Sequence, residues 1–299
     1  MTSTLVAFSS NSSFAVPLSA AVRSLRYHYT GEIAVCYEDF PVEQRDVIDN
    51  AAGANPVRWV PVDSELVAPF PTGAIDKAQW YRLVMPQLMP DVERILYLDA
   101  DTLTTDSLET FIRTDLQGAP FGAVQNLRAP YVSSTDGLVG WKHISADPGL
   151  PYFNSGVLLI DAAQWRTNDF TPAVARQAQE FFELSLRPGS DQDALNAVFA
   201  GQWLQLPYRF NQHPVVFQGH GHHHQLMAAN ELVELRNRPA IVHFIGRAKP
   251  WKEPCSHPFT ERWRATIADT GFADFTPETR SATDKIAGRV RRATKALLG

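Results

Sequence analysis

The chain has 299 residues, 44% hydrophobic and 20% charged, the balance of an ordinary globular enzyme and enough length for one large domain or two small ones. A net charge of −5 excludes a global electrostatic pull toward nucleic acid or an anionic membrane. Two cysteines, Cys36 and Cys255, exclude a disulfide scaffold and fit a reduced, cytoplasmic compartment. In chain order, Met1 to Phe8 lacks a basic stretch followed by an apolar one, which predicts no signal peptide. No apolar run approaches the roughly 18 residues that span a bilayer.

Strand-like and helix-like runs alternate from there, predicting an α/β sheet with crossover helices. Leu5 to Phe8 reads as a first buried strand, Ser9 to Ser13 as a polar turn, and Val16 to Leu25 as a helix. Glu32 to Tyr37 and Val57 to Val62 read as strands two and three. Ala74 to Leu88 is helical in pattern, with Pro86 expected to end or kink it. Arg94 to Leu98 is a central strand running directly into Asp99. Gly122 to Gln125 and Phe153 to Ile160 look like further strands, Phe170 to Leu186 and Asp191 to Phe199 like helices, and Ile241 to Phe244 like a late short strand.

The last twenty residues differ. Arg280 to Gly299 holds six basic residues and one acidic, Asp284, so this tail carries +5 and the remainder −10. Ile286, Val290, Ala293 and Leu297 fall on one face at helical spacing. The pattern suits either a solvated terminal helix or a peripheral anchor on the anionic inner face of a membrane. The organisation expected is one domain over 1–279 and a basic amphipathic tail over 280–299.

Four segments carry chemistry. In Tyr97-Leu-Asp-Ala-Asp-Thr102, Asp99 and Asp101 follow a strand at the carboxyl edge of a sheet, where open α/β folds bind ligands. Carboxylates two residues apart can converge on one hard divalent cation. A bare Asp-x-Asp also serves as a surface turn or a helix cap. In Ile241-Val-His-Phe-Ile-Gly-Arg-Ala-Lys-Pro-Trp251, His243 can add a nitrogen ligand to Mn²⁺ or a similar ion. Gly246 permits a tight turn, and Lys249 is a mobile charge suited to phosphate. In Tyr152-Phe-Asn-Ser-Gly-Val-Leu-Leu-Ile-Asp161, Asn154 offers an amide and Gly156 a close backbone approach. In Ser190-Asp-Gln-Asp-Ala-Leu-Asn196, Ser190 or Asp191 can cap a helix. At a helix N-terminus Asp191 and Gln192 are also suited to bond sugar hydroxyls.

Taken together, in this order and from about Thr4 to Trp251, these strings resemble glycosyltransferase family eight, which includes the bacterial lipopolysaccharide galactosyl- and glucosyltransferases. The resemblance implies a GT-A fold, with a Rossmann-like nucleotide-sugar-binding sheet flanked by helices. It implies a nucleotide-sugar donor, usually UDP-linked, and Mn²⁺ (or Mg²⁺) held by Asp99, Asp101 and His243. Arg82, Ala100, Gly246 and Lys249 would meet donor phosphate and sugar. Asn154, Ser155, Asp191 and Gln192 would line the sugar, with Gln192 close to the anomeric carbon. Ala7, Ser9, Asn11 and Ser13 would form the base end. Asn11 stands where the family often has an acidic residue that reads uracil. An amide can pair with uracil N3–H and with other bases, which leaves the base open.

The reaction implied is hexose transfer with retention. Asp191 and Gln192 provide no strong free nucleophile, so the leaving diphosphate assists acceptor deprotonation. The acceptor is a glycan, a lipid-linked sugar or a protein, met by variable loops around Asp136 to Pro151 and Gln218 to Pro239. A sugar nucleotidyltransferase would instead need a Gly-rich basic loop after strand one, and Ser9 to Ser13 has neither Gly nor Lys. A non-catalytic nucleotide-sugar-binding module would not need the Asp99, Asp101, His243 and Lys249 set. The run Gln218-Gly-His-Gly-His-His-His-Gln225 is expected to be a flexible loop with incidental metal affinity.

Overall fold

A computed structural model of the chain describes residues 4–72, 76–186 and 191–279. The tail beyond Thr279, the expected helix start at Ala74 and the candidate cap Ser190 lie outside these described residues. The strands that build the site are β1 (Thr4–Ser9), β2 (Ile33–Tyr37), β3 (Arg58–Pro61), β4 (Arg94–Asp99), β5 (Thr102–Thr104), β6 (Phe121–Gln125), β7 (Phe153–Asp161), β8 (Leu204–Gln205) and β9 (Ile241–His243). Seven of them form one sheet in the order β3-β2-β1-β4-β7-β6-β8. β1 to β4 run parallel, and β7 lies antiparallel to both β4 and β6.

The continuous apolar runs of β1 and β4 follow from burial on both faces of the sheet. Val6, Phe8, Leu96 and Leu98 pack on one side against Leu18, Val22 and Leu25 of the helix Ala15–Arg26 and Ile48 of the helix Val42–Ala52. Leu5, Ala7, Ile95 and Tyr97 point the other way, onto Leu83, Val84 and Met85 of the helix Tyr81–Leu88, onto Val174 and Ala178 of the helix Phe170–Glu183, and onto Leu195 of the helix Asp191–Val198. Each fully buried aliphatic or Phe side chain contributes about 1.5–3 kcal/mol. The two cores therefore hold the carboxyl ends of β1 and β4 rigidly in register.

Pro86 does not end its helix, which continues to Leu88. The ring removes one backbone donor near the end of a short helix, and the Met89 N–H closes the last turn on the Met85 carbonyl. The helices Val42–Ala52, Ala229–Asn237 and Thr260–Ala268 carry weak apolar patterns and were not anticipated from sequence. Among the described residues no helix is long and apolar enough to cross a membrane.

Candidate active site

The reversal of β7 assembles the site. Leu98 of β4 pairs with Val157 of β7, so the carboxyl end of β4 meets the amino end of β7. Asp99 thus comes beside Asn154, Ser155 and Gly156, although 55 residues separate Asp99 from Asn154 in the chain. A second short pairing supplies the histidine. β5 and β9 are antiparallel with Thr102 opposite His243, and the Phe244 N–H donates to the Asp101 carbonyl at 3.0 Å.

The ligand atoms of Asp99, Asp101 and His243 converge within 4.8 Å of one another. His243 Nε2 stands 3.0 Å from Asp101 Oδ1 and 3.5 Å from Asp99 Oδ2. Two hard oxygen donors and one imidazole nitrogen form a set suited to Mn²⁺. Gly156 makes room for it, since a Cβ there would collide with the His243 ring and the Asp99 carboxylate. Burial raises the Asp101 pKa, but His243 and Lys249 outweigh it and hold the carboxyl well below its usual range. Lys249 Nζ bonds Asp101 Oδ2 and donates to the Phe244 carbonyl at 2.7 Å. Gly246, at φ +86°, turns the chain between His243 and Lys249 in a conformation that favours glycine.

Arg82 lies beneath this cluster, 5% exposed. It donates to the Ser155 carbonyl at 2.8 Å and approaches Asp99 at 2.9 Å and Asp191 at 3.4 Å. Its guanidinium stacks 4.5 Å over the Tyr97 ring. Asp191 accepts from Ser155 Oγ at 3.0 Å, and burial pushes its pKa up against the pull of Arg82. Gln192 Oε1 accepts from Asn154 Nδ2 at 2.9 Å and from the Ser155 N–H at 3.2 Å.

Ser9, Asn11, Arg82, Asp99, Ala100, Asp101, Asn154, Ser155, Asp191, Gln192, His243, Gly246 and Lys249 all line one cleft of about 440 Å³. Two anticipated residues do not. The Ala7 side chain is sealed in the sheet core, and the Ser13 hydroxyl, outside the lining, donates to Asn11 Oδ1 at 2.6 Å. Asn11 is itself committed locally: Oδ1 accepts from the Ser13 N–H at 3.0 Å and Nδ2 bonds Asp76. Asp76, Gln79 and Phe14, which also line this end, were missed because no motif marks them. Tyr97 was missed as well. Its hydroxyl donates to Asp99 Oδ1 at 2.6 Å and takes the Ser9 hydroxyl as a donor at 3.0 Å. Strand alternation was the available signal, since Tyr97 and Asp99 share one face of β4.

The histidine-rich run forms a turn and a short helix, His223–Leu226, with His223 buried and its Nε2 3.3 Å from the Gln218 carbonyl. Among the described residues, the cluster of three or more possible ligands is Asp99, Asp101 and His243.

Known proteins resemble this chain over most of its length. The general stress protein A of Bacillus subtilis is 28% identical over 211 residues, 70% of this chain and 71% of that protein. Glycosyltransferase GlyF of Streptococcus pneumoniae is 26% identical over 267 residues, 86% of this chain and 60% of GlyF. The galactosyltransferase LgtC, solved in complex with donor and acceptor sugar analogs, superposes with a TM-score of 0.72 at 26% identity, over 89% of this chain and 96% of LgtC. The sheet and its flanking helices thus form a GT-A fold. The family described as glycosyl transferase family 8 matches residues 5–255, a span that contains every residue of the cleft, and the chain belongs to that family and is a glycosyltransferase.

Proposed function

We propose that this enzyme transfers a hexose, galactose or glucose, from a UDP-sugar to a glycan, lipid-linked or protein acceptor, with Mn²⁺ (or Mg²⁺) and with retention of anomeric configuration. One observation carries the proposal: Asp99, Asp101 and His243 converge within 4.8 Å in a cleft that Asn154, Asp191 and Gln192 also line. The names of two relatives support the sugar class. One is a lipopolysaccharide 1,2-glucosyltransferase of Escherichia coli, 24% identical over 67% of this chain, and the other is LgtC.

Asp99, Asp101 and His243 would hold a divalent cation, which would supply positive charge to the leaving diphosphate. Lys249, tethered 2.7 Å from the Phe244 carbonyl, swings from Asp101 to a phosphate oxygen. Asp191 accepts from sugar hydroxyls, and the Arg82 charge opposes the burial that pushes its pKa up. Gln192 presents its amide to the anomeric region without attacking. The bond from the anomeric carbon to diphosphate breaks, the acceptor oxygen bonds on the same face, and its proton passes to the departing phosphate. Asp191 is already engaged by Ser155 and Arg82, which argues against a covalent glycosyl-enzyme.

The basic segment Arg280 to Gly299 serves, on this reading, as a peripheral contact with an anionic membrane rather than as part of the catalytic domain. The test of the main proposal is a screen of nucleotide sugars for hydrolysis with Mn²⁺ and with EDTA. UDP-galactose or UDP-glucose should turn over only with metal. Equal turnover in EDTA, or none with any UDP-hexose, overturns it.

A further inference from the structure

The two ends of the cleft are joined by a file of side chains with a single hydrogen-bond direction. Backbone donors fix the orientation of its amides. The Gly156 N–H donates to Asn154 Oδ1 at 3.1 Å and the Ser155 N–H to Gln192 Oε1 at 3.2 Å. A backbone N–H cannot be turned around, so both side-chain oxygens are identified.

The rest follows by elimination. Asn154 Nδ2 donates to Gln192 Oε1 at 2.9 Å. Asn211, facing Asn154 Oδ1 at 2.9 Å, must present its Nδ2 there. Its Oδ1 therefore faces His243 Nδ1 at 2.9 Å and accepts the proton carried there. In the neutral ring that a divalent cation would require, the one proton therefore stays on Nδ1, and Nε2 would offer its lone pair beside Asp99 and Asp101. At the other end Gln192 Nε2 donates to the Tyr152 hydroxyl at 2.8 Å, and that hydroxyl donates to Asp193 Oδ1 at 2.6 Å.

The anchors are rigid. Asn211, His243 and Asp193 are 3%, 3% and 1% exposed. The Gln212 N–H donates to the Ile241 carbonyl at 2.9 Å, and the His243 N–H to the Gln212 carbonyl at 3.1 Å. Asn211 is thereby carried beside β9 by backbone bonds.

We propose that Asn211 is a positioning residue with two separable duties: it selects the metal-binding tautomer of His243, and through Asn154 it fixes the amide of Gln192 at the sugar end, with Tyr152 and Asp193 closing the file. This rests on the metal reading of Asp99, Asp101 and His243. Partners of a ligating imidazole set its tautomer and basicity, and their loss weakens metal binding by about 10–100-fold.

Three variants separate the duties, with Mn²⁺ affinity measured by electron paramagnetic resonance on donor-free protein and fold checked by thermal melting. Asn211→Leu removes both bonds, and its Mn²⁺ affinity should fall by about 10–100-fold. Asn211→Asp keeps an acceptor for His243 Nδ1 but sets a carboxylate against Asn154 Oδ1. Its Mn²⁺ affinity should stay at or above that of wild type while kcat with saturating donor falls. Tyr152→Phe cuts the file beyond Gln192, and should lower kcat with Mn²⁺ affinity unchanged. If wild type and Asn211→Leu bind Mn²⁺ alike, the tautomer duty is refuted alone. If wild type binds no Mn²⁺, the metal reading falls with it. Full kcat in both Asn211→Asp and Tyr152→Phe refutes the sugar-end duty.

Discussion

The Arg82 guanidinium lies 2.9 Å from Asp99 Oδ1, placing a buried positive charge directly under a proposed metal ligand. The same group is 3.4 Å from Asp191, so one side chain offsets two carboxylates that otherwise repel. Removing one partner of a buried ion pair leaves charge unpaired and costs about 3–5 kcal/mol.

Arg82→Met should therefore lower the unfolding free energy by about 3–5 kcal/mol at neutral pH, and Arg82→Lys by less. Added Mn²⁺ should recover part of the loss, because a bound cation replaces charge beside Asp99. Denaturant titrations with and without Mn²⁺ measure both effects. An unchanged midpoint for Arg82→Met would mean that solvent already screens this pair.

Gly156 is the position where packing and metal chemistry collide. A Cβ added there meets the His243 ring and the Asp99 carboxylate. Overpacking at a rigid site costs about 1–3 kcal/mol. Gly156→Ala should fold with reduced stability and lose Mn²⁺ affinity out of proportion to that loss. Ser155→Ala, on the neighbouring position of β7, should leave Mn²⁺ affinity intact. Isothermal titration of both variants decides whether the steric effect reaches the ligands.

What could be read from the sequence was set by range. Asp99 and Asp101 are legible because strand, turn and carboxylates lie within six residues, Tyr97 to Thr102. Asn154, Asp191, Gln192, His243 and Lys249 are legible as members of strings that resemble a known family, and the cleft gathers all of them. The antiparallel course of β7 is not legible, since a buried strand has the same apolar pattern in either direction. Asn11 is legible as a residue of the base end, but its bonds to Ser13 and Asp76 are not, since Asp76 lies 65 residues away in the chain. Asn211 carries no local signal at all. Its partners His243 and Asn154 lie 32 and 57 residues away, and only the fold brings them together.

His257 predicts an acid-sensitive stability outside the cleft. It is packed among Phe217, Phe244 and Phe259, Nδ1 accepts from the Phe259 N–H at 3.2 Å, and burial lowers its pKa from 6.5 to about 4. The unfolded chain therefore takes up a proton near pH 6.5 that the folded chain refuses until about pH 4. Stability contributed by the neutral ring is complete above the unfolded value and is lost as pH falls through this window. His257→Asn keeps an acceptor for the Phe259 N–H but does not titrate. The gap between melting temperatures at pH 7 and about pH 5 should narrow in this variant. An identical gap would assign the acid sensitivity to other groups, His213 foremost, whose pKa burial lowers to about 3.

Lys249 and Asp191 stand at opposite ends of the proposed donor, and their substitutions should fail differently. Lys249 already neutralises Asp101, so its charge is available where negative charge grows as the diphosphate departs. Removing one such preorganised donor costs about 10²–10³ in kcat. Lys249→Ala should lose turnover on that scale with donor KM changed far less, because the interaction strengthens in the transition state. Lys249→Arg should recover only part, since a planar fork does not reproduce a compact ammonium held by the Phe244 carbonyl. Asp191→Asn keeps the shape but turns one acceptor oxygen into a donor, so sugar hydroxyls that had donated to it lose a partner. Sites built to bind particular hydroxyls discriminate strongly, and a broken one discriminates less. The ratio of kcat/KM for UDP-galactose over UDP-glucose should then move toward unity, while Lys249→Ala leaves it unchanged. Should Asp191→Asn keep both rate and ratio, its carboxylate serves only to balance Arg82 and to accept from Ser155, and the sugar is read by other groups.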